Sequence, residues 1–155
     1  NIGIWNDVTL TTSGKVTIQD PFVQAVLPLP DTTSAVLNPE VIVKNHESAP
    51  VAGELSGKNG EITFEQTVEL KANEEKTVKF DPEKFAQLKV QNPHLWWPKG
   101  YGEPYLYDAN FTFKVADQVS DSEDFKVGIR QMTFNENNSI LSLLMNGRRF
   151  IGRGG

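Results

Sequence analysis

"EITFEQTVEL" (residues 61–70) places Ile62, Phe64, Gln66, Val68 and Leu70 on one side of an extended chain, with Glu61, Thr63, Glu65, Thr67 and Glu69 on the other. Successive side chains of a strand point to opposite faces, so this alternation predicts a strand with one face in a core and one in water. A helical period would wind the same residues around an axis and bury the glutamates.

The same pattern recurs on both sides of that stretch. "KVTIQDPFVQAVL" (15–27) carries Val16, Ile18 and, past a break at Pro21, Val23 at strand spacing; "AVLNPEVIVKNH" (35–46) puts Val41 and Val43 on one face. "KTVKF" (76–80), "LYDANFTFKV" (106–115) and "EDFKVGIRQMTF" (123–134) are rich in the aromatic and β-branched residues that suit a pleated surface. Turn chemistry separates them in "SGKNGE" (56–61), with Asn59-Gly60, in "KANEE" (71–75) and in "VADQVSDSE" (115–123). Only "DPEKFAQL" (81–88) reads as helical, for one turn or two, with Asp81 as N-cap, Pro82 at the first position and Phe85 and Leu88 three apart. About seven short strands with no intervening helices predict an all-β fold, an antiparallel β-sandwich of immunoglobulin-like type.

Composition narrows the function classes. A chain of 155 residues, 38% hydrophobic and 23% charged, suits one globular domain with a core. No apolar run approaches the roughly 18 residues of a spanning helix, so no membrane partner is expected. A net charge of −5 with dispersed Lys and Arg, apart from Arg148, Arg149 and Arg153, lacks the basic stripe that nucleic acid requires. The absence of cysteine removes disulfides, thiolate nucleophiles and Cys-ligated metals. The chain opens on Asn1 rather than Met and without a signal peptide, so it is expected to be a segment of a longer polypeptide.

The ends stand apart from the sandwich. Residues 1–14, "NIGIWNDVTLTTSG", are an extra apolar segment; residues 15–134 hold the strands; "NENNS" (135–139) reads as a polar linker. After it "ILSLLMNGRRFIGRGG" begins a hairpin, with Asn146-Gly147 as a type I′ turn signal.

Residues that carry chemistry are sparse. His46 and His94 are far apart and in no metal-binding spacing, so no metal or cofactor is expected. "GRGG" (152–155) lacks a following helix, so its glycines suit close backbone approach rather than phosphate. No Gly-x-Ser-x-Gly elbow supports a serine nucleophile. Glycoside hydrolysis needs two carboxylates flanking a sugar, but Glu61, Glu65 and Glu69 fall on a solvent face, and Asn135-Glu136 lies in the expected linker. Neither sequon, Asn110-Phe-Thr112 or Asn137-Asn-Ser139, is expected to be glycosylated. That leaves "NPHLWWPKGYGEPYLY" (92–107), which concentrates two Trp and three Tyr in a run broken by Pro and Gly. Trp96, Trp97, Tyr101, Tyr105 and Tyr107 could stack on sugar rings, with Trp97, Tyr101 and Tyr105 as the platform. The alternative is that they close the end of the sandwich or cover a neighbouring domain, and packing is the preferred reading, since an aromatic side chain buries a large apolar area.

Three motifs resemble one family. "GIWNDVTLTTSG" (3–14), holding Trp5 and Asp7, is similar to a Gly-Ile-Trp-x-Asp-Val segment of family 2 glycoside hydrolases. "LWWPKGYGEPYLY" (95–107), with Trp96, Trp97, Pro98 and Gly100, resembles their Leu-Trp-Trp-Pro-x-Gly signature. "VGIRQMTF" (127–134), with Gly128 and Arg130, followed by Asn146 and Gly147 in "NGRRFIGRGG", resembles the strand and hairpin that lead into their catalytic barrel. "TTSG" and the closing Arg-Gly-Gly look most like the exo-β-D-glucosaminidase and endo-β-mannosidase branch, while Asn6 stands where many members carry Arg.

The resemblance implies that residues 1–14 end a preceding sandwich domain, that 15–134 form the immunoglobulin-like second domain, and that 135–155 open a catalytic TIM barrel. It also implies that the two catalytic glutamates of a retaining mechanism lie beyond Gly155, so that no catalytic residue belongs to this chain. On that reading the partners are flanking domains of the same polypeptide and the parent's oligosaccharide substrate, in a periplasmic or secreted bacterial protein. An independent carbohydrate-binding module and an adhesion or scaffolding immunoglobulin-like domain are the alternatives.

Overall fold

The computed structural model describes residues 10–137 and 140–151. Eleven strands follow one another: β1 (Val16–Val26), β2 (Ser34–Asn45), β3 (Val51–Asn59), β4 (Ile62–Leu70), β5 (Glu75–Lys79), β6 (Lys89–Gln91), β7 (Tyr107–Val115), β8 (Gln118–Val127), β9 (Met132–Asn137), β10 (Ile140–Met145) and β11 (Arg148–Phe150). One antiparallel sheet has the order β1-β2-β5, with β6 also on β2; a second has the order β4-β3-β7-β8. These two sheets form the expected sandwich. A third sheet is the meander β11-β10-β9.

The alternation that predicts β4 is what buries it: Phe64, Val68 and Leu70 are buried, while Glu61, Thr63, Glu65, Thr67 and Glu69 are exposed. Along β2, Ala35, Leu37, Val41 and Val43 face inward by the same rule. Between the sheets Phe64 from β4, Phe111 from β7 and Phe80, just after β5, meet at ring-centroid separations of 4.6 to 6.1 Å. Phe64 meets the other two edge-on while Phe80 and Phe111 are stacked, and aromatic pairs in such arrangements add to the transfer free energy of the rings. Room for them comes from β3, whose inward positions include Gly53 and Gly57. A Cβ on Gly57 would lie 2.1 Å from a Phe64 ring carbon, and one on Gly53 would lie 2.4 Å from the ring of Phe113.

Along the seam between β1 and β8, side chains replace a ladder. Ser120 Oγ accepts from the Val16 N–H and donates to the Val16 carbonyl, both at 2.8 Å, and Asp121 Oδ2 accepts from the Ile18 N–H at 2.7 Å. Further along, Gln131 Oε1 accepts from the Leu27 N–H at 2.6 Å. The opposite seam is tied by Gln66 Nε2 donating to the Lys79 carbonyl and Gln87 Nε2 donating to that of Thr63. Strand edges occupied in this way are poor templates for unwanted pairing.

Local expectations are revised at several places. Pro21 does not end a strand: β1 runs through it with a register shift between Gln19 and Phe22 and with Asp20 at φ 48°. An edge strand with a bulge tolerates proline's missing N–H. The 115–123 turn contracts to Ala116 and Asp117, at φ 49° and 63°, and β8 takes the polar residues that follow. At 56–61, Gly60 rather than Asn59 takes the positive φ, of 59°; Asn59 ends β3, buried, with both polar atoms of its amide unpaired among the described residues. The 81–88 stretch forms turns and a single 3-10 turn, Ala86–Leu88. Asp81 still caps, its Oδ1 accepting from the Glu83 N–H at 2.9 Å. Asn135, Glu136 and Asn137, expected as linker, are the second half of β9, paired with β10. The run 123–134 divides into β8 and β9 around residues 128–131.

Candidate functional site

The aromatic loop between β6 and β7 is fixed at three points by its own backbone. The Trp96 N–H donates to the Ile129 carbonyl, the Trp97 N–H to that of Glu103 and the Tyr101 N–H to that of Pro98, at 2.9 to 3.0 Å. In the last of these turns Gly100 adopts φ 89°, a conformation that a side chain would strain. Gly128 lies under Trp96 and Gly102 against Trp97: an added Cβ would come within 3.0 Å and 2.7 Å of those side chains.

Both indoles are half-buried and each carries a cation. The Arg130 guanidinium carbon stands 4.3 Å from the Trp96 ring centroid, and that of Arg148, on β11, stands 5.1 Å from Trp97. A guanidinium over the face of Trp is held by the ring quadrupole. Trp96, Trp97, Gly128, Arg130 and Asn146, singled out from separate motifs, therefore meet in one place.

Asn146 joins the third sheet to this loop. It is buried, its Nδ2 donates to the Trp96 carbonyl at 3.0 Å, and its Oδ1 accepts from the Gln131 N–H at 2.8 Å. Asn146 and Gly147 take φ of 49° and 78°, the pair of positive values that a type I′ turn requires. Pro98 is half-buried at the start of the Gly100 turn.

The tyrosines pack within the chain, and two of them hydrogen-bond to its backbone. Tyr101, though partly exposed, packs edge-on against Phe150 at 5.5 Å, and its hydroxyl accepts from the Ile151 N–H at 3.1 Å. Tyr105 lies between the His94 ring, at 4.8 Å, and Tyr107, at 4.9 Å. The Tyr107 hydroxyl accepts from the His94 N–H at 2.8 Å. Burial pushes the Tyr107 hydroxyl above its ordinary pKa, the bond from His94 opposes this, and the neighbouring Tyr105 adds to the rise.

His46 bonds Thr17, and among the described residues no three His, Asp or Glu side chains gather as metal ligands. Trp5 and Asp7 lie outside the described residues. The sequence gives no sign of the part taken by Gln131, next to Arg130, whose side-chain oxygen accepts from the N–H of Leu27, just after β1. Strand periodicity reports which face a residue is on, not which backbone group its side chain reaches.

The family described as glycosyl hydrolases family 2 matches residues 16–130, which span the sandwich, the aromatic loop and Arg130. The chain belongs to glycosyl hydrolase family 2. Its relatives include an exo-beta-D-glucosaminidase of Streptomyces avermitilis, 33% identical over the whole of this chain and 17% of that protein. A mannosylglycoprotein endo-beta-mannosidase of Lilium longiflorum is 34% identical, again over the whole chain and 17% of its own length. The crystal structure of Amycolatopsis orientalis exo-chitosanase CsxA superposes with a TM-score of 0.81 at 29% identity, over 92% of this chain and 16% of that one. The family 2 chain thus corresponds to one domain-sized part of far longer glucosaminidases and mannosidases. Among its described residues no helix is long and apolar enough to cross a membrane.

Proposed function

We propose that this chain is the non-catalytic, immunoglobulin-like middle domain of a retaining family 2 β-glycosidase acting on β-linked glucosamine or mannose. Its task is mechanical: a rigid sandwich, residues 15–134, that spaces a preceding sandwich domain from a catalytic barrel, whose linker and first hairpin are residues 135–155, and buttresses the wall of that barrel. The acid/base and nucleophilic carboxylates belong to the barrel, on strands outside this chain. The parent is read as a periplasmic or secreted bacterial enzyme.

One observation carries this reading. The aromatic loop engages its own chain at every turn: Arg130 and Arg148 occupy the Trp96 and Trp97 faces, while the Tyr101 and Tyr107 hydroxyls accept backbone N–H groups. A stacking platform for sugars needs bare aromatic faces, whereas a spacer needs a loop that holds one shape against load.

The test is an NMR titration of the chain with chitosan oligosaccharides and with manno-oligosaccharides, following the Trp96 and Trp97 indole N–H signals, alongside an assay for release of glucosamine or mannose. The expected outcome is no saturable shift up to millimolar sugar, slow indole exchange and no hydrolysis. Saturable shifts centred on residues 96–107 would make the chain a carbohydrate-binding module instead.

A further inference from the structure

The seam between β1 and β8 is stitched at both ends and open in the middle. Val16 and Ile18 give their outward N–H groups to Ser120 and Asp121, and Leu27 gives its own to Gln131. Between them, past the bulge, Phe22, Gln24 and Val26 alternate with Val23 and Ala25 in register with β2. Since Leu27 N–H points away from β2, the two-residue period of a strand turns the N–H and C=O groups of Val23 and Ala25 the same way. The pairing agrees, because Val23 stands opposite Pro39, which has no N–H to give. Among the described residues no side chain meets these outward groups.

They open into a groove of about 630 Å³, within the range of ligand sites in proteins. Its apolar walls include the largely exposed Phe22, Leu106 and Met132. Among the described residues its charged lining is cationic only, Lys126 and Arg130, in a chain of net charge −5. Lys126 is already paired with Asp108, so the exposed Arg130 over Trp96 is the cation with no carboxylate partner among the described residues. Backbone groups without a described partner at a sheet edge, apolar flanks and one guanidinium stacked on Trp96 but lacking a carboxylate define an occupant: an extended peptide strand, apolar on alternate residues and bearing a carboxylate.

We propose that this groove is a strand-addition site, in which an extended acidic-apolar segment of a neighbouring domain of the same polypeptide pairs with Val23 and Ala25 and sets its carboxylate on Arg130. The source rests on the domain reading above, since the chain spans only 17% of its relative's length and the rest of such a protein lies outside it. Ladder hydrogen bonds would fix the angle between the two domains, which hydrophobic contact alone leaves loose.

The probe is the peptide acetyl-GVEVTVEVG-amide, titrated into the ¹⁵N-labelled 155-residue chain, with acetyl-GVKVTVKVG-amide as the charge-inverted control. The acidic peptide is expected to bind saturably and to slow hydrogen exchange at Val23 and Ala25 by roughly tenfold or more, and the lysine peptide not to. Val23→Pro, which removes an outward N–H without touching a ladder bond to β2, is expected to weaken binding by up to about tenfold. Arg130→Glu is expected to invert the preference between the peptides. Failure of the acidic peptide to alter the Val23 and Ala25 amides of the unsubstituted chain at millimolar concentration would overturn the site, as would equal binding of both peptides. Neither result touches the spacer reading, which falls only to sugar binding or hydrolysis in the experiment above.

Discussion

At Asn146 one side chain serves two backbone groups that have no other partner among the described residues, the Trp96 carbonyl and the Gln131 N–H. The Asn146→Ala variant strands both in a buried site and also places alanine at φ 49°, so it is expected to cost about 2–4 kcal/mol in urea unfolding. Asn146→Asp keeps an acceptor for Gln131 but sets an oxygen against the Trp96 carbonyl. That carboxyl can donate only when protonated, so its folded pKa is raised. The variant is expected to gain stability as pH falls through the carboxylate range, while Asn146 itself shows no such dependence there. Tyr107 works at the other end of the scale. Its folded pKa is raised, chiefly by burial, so the folded state holds the proton more tightly than the unfolded chain. The contribution is complete below the unfolded value of about 10 and is lost as pH rises from there through the folded value. Alkaline titration read at the tyrosinate absorbance is expected to show one late-titrating tyrosine, and Tyr107→Phe to remove it.

At the scale of elements, β3 and β4 are matched through an absence. Gly57 sits directly opposite Phe64, whose ring folds back over it toward Phe80 and Phe111. An aromatic ring laid over a cross-strand glycine covers the bare backbone and fills the space that a side chain would take. Gly57→Ala brings a methyl to 2.1 Å from that ring and is expected to destabilise by about 3 kcal/mol. Combined with Phe64→Leu, the loss is expected to be smaller than the sum of the two single losses, because the smaller side chain makes way. If the double variant were simply additive in chemical denaturation, the ring would not be what the glycine accommodates. Between sheets, Ser120, Asp121 and Gln131 do for β1 what a further strand would do, and Val23 and Ala25 have no side-chain partner among the described residues.

For the whole molecule, the sandwich was legible from its sequence because burial on one face of a strand has to repeat every second residue, and it does so in β2 and β4. The Asn146-Gly147 hairpin was legible too, since few residue pairs accept two positive φ values. The bulge at Asp20-Pro21 was not, because proline stops a central strand but not an edge strand, and edge status is a property of the sheet. Nor was the strand over Asn135 to Asn137: polar residues become a strand there because β10 offers them a ladder. Trp96 and Trp97 stood out by type, yet their partners Arg130 and Arg148 are 34 and 51 residues further along the chain. What the residues determined by themselves was therefore local: the strand period, the turn chemistry, and the motifs that place the chain in family 2. Which edges are sealed, which indole faces are covered and which backbone groups stay free was decided only when distant segments met, because hydrogen bonds and cation–π contacts depend on separations of a few ångströms that no spacing along a chain encodes.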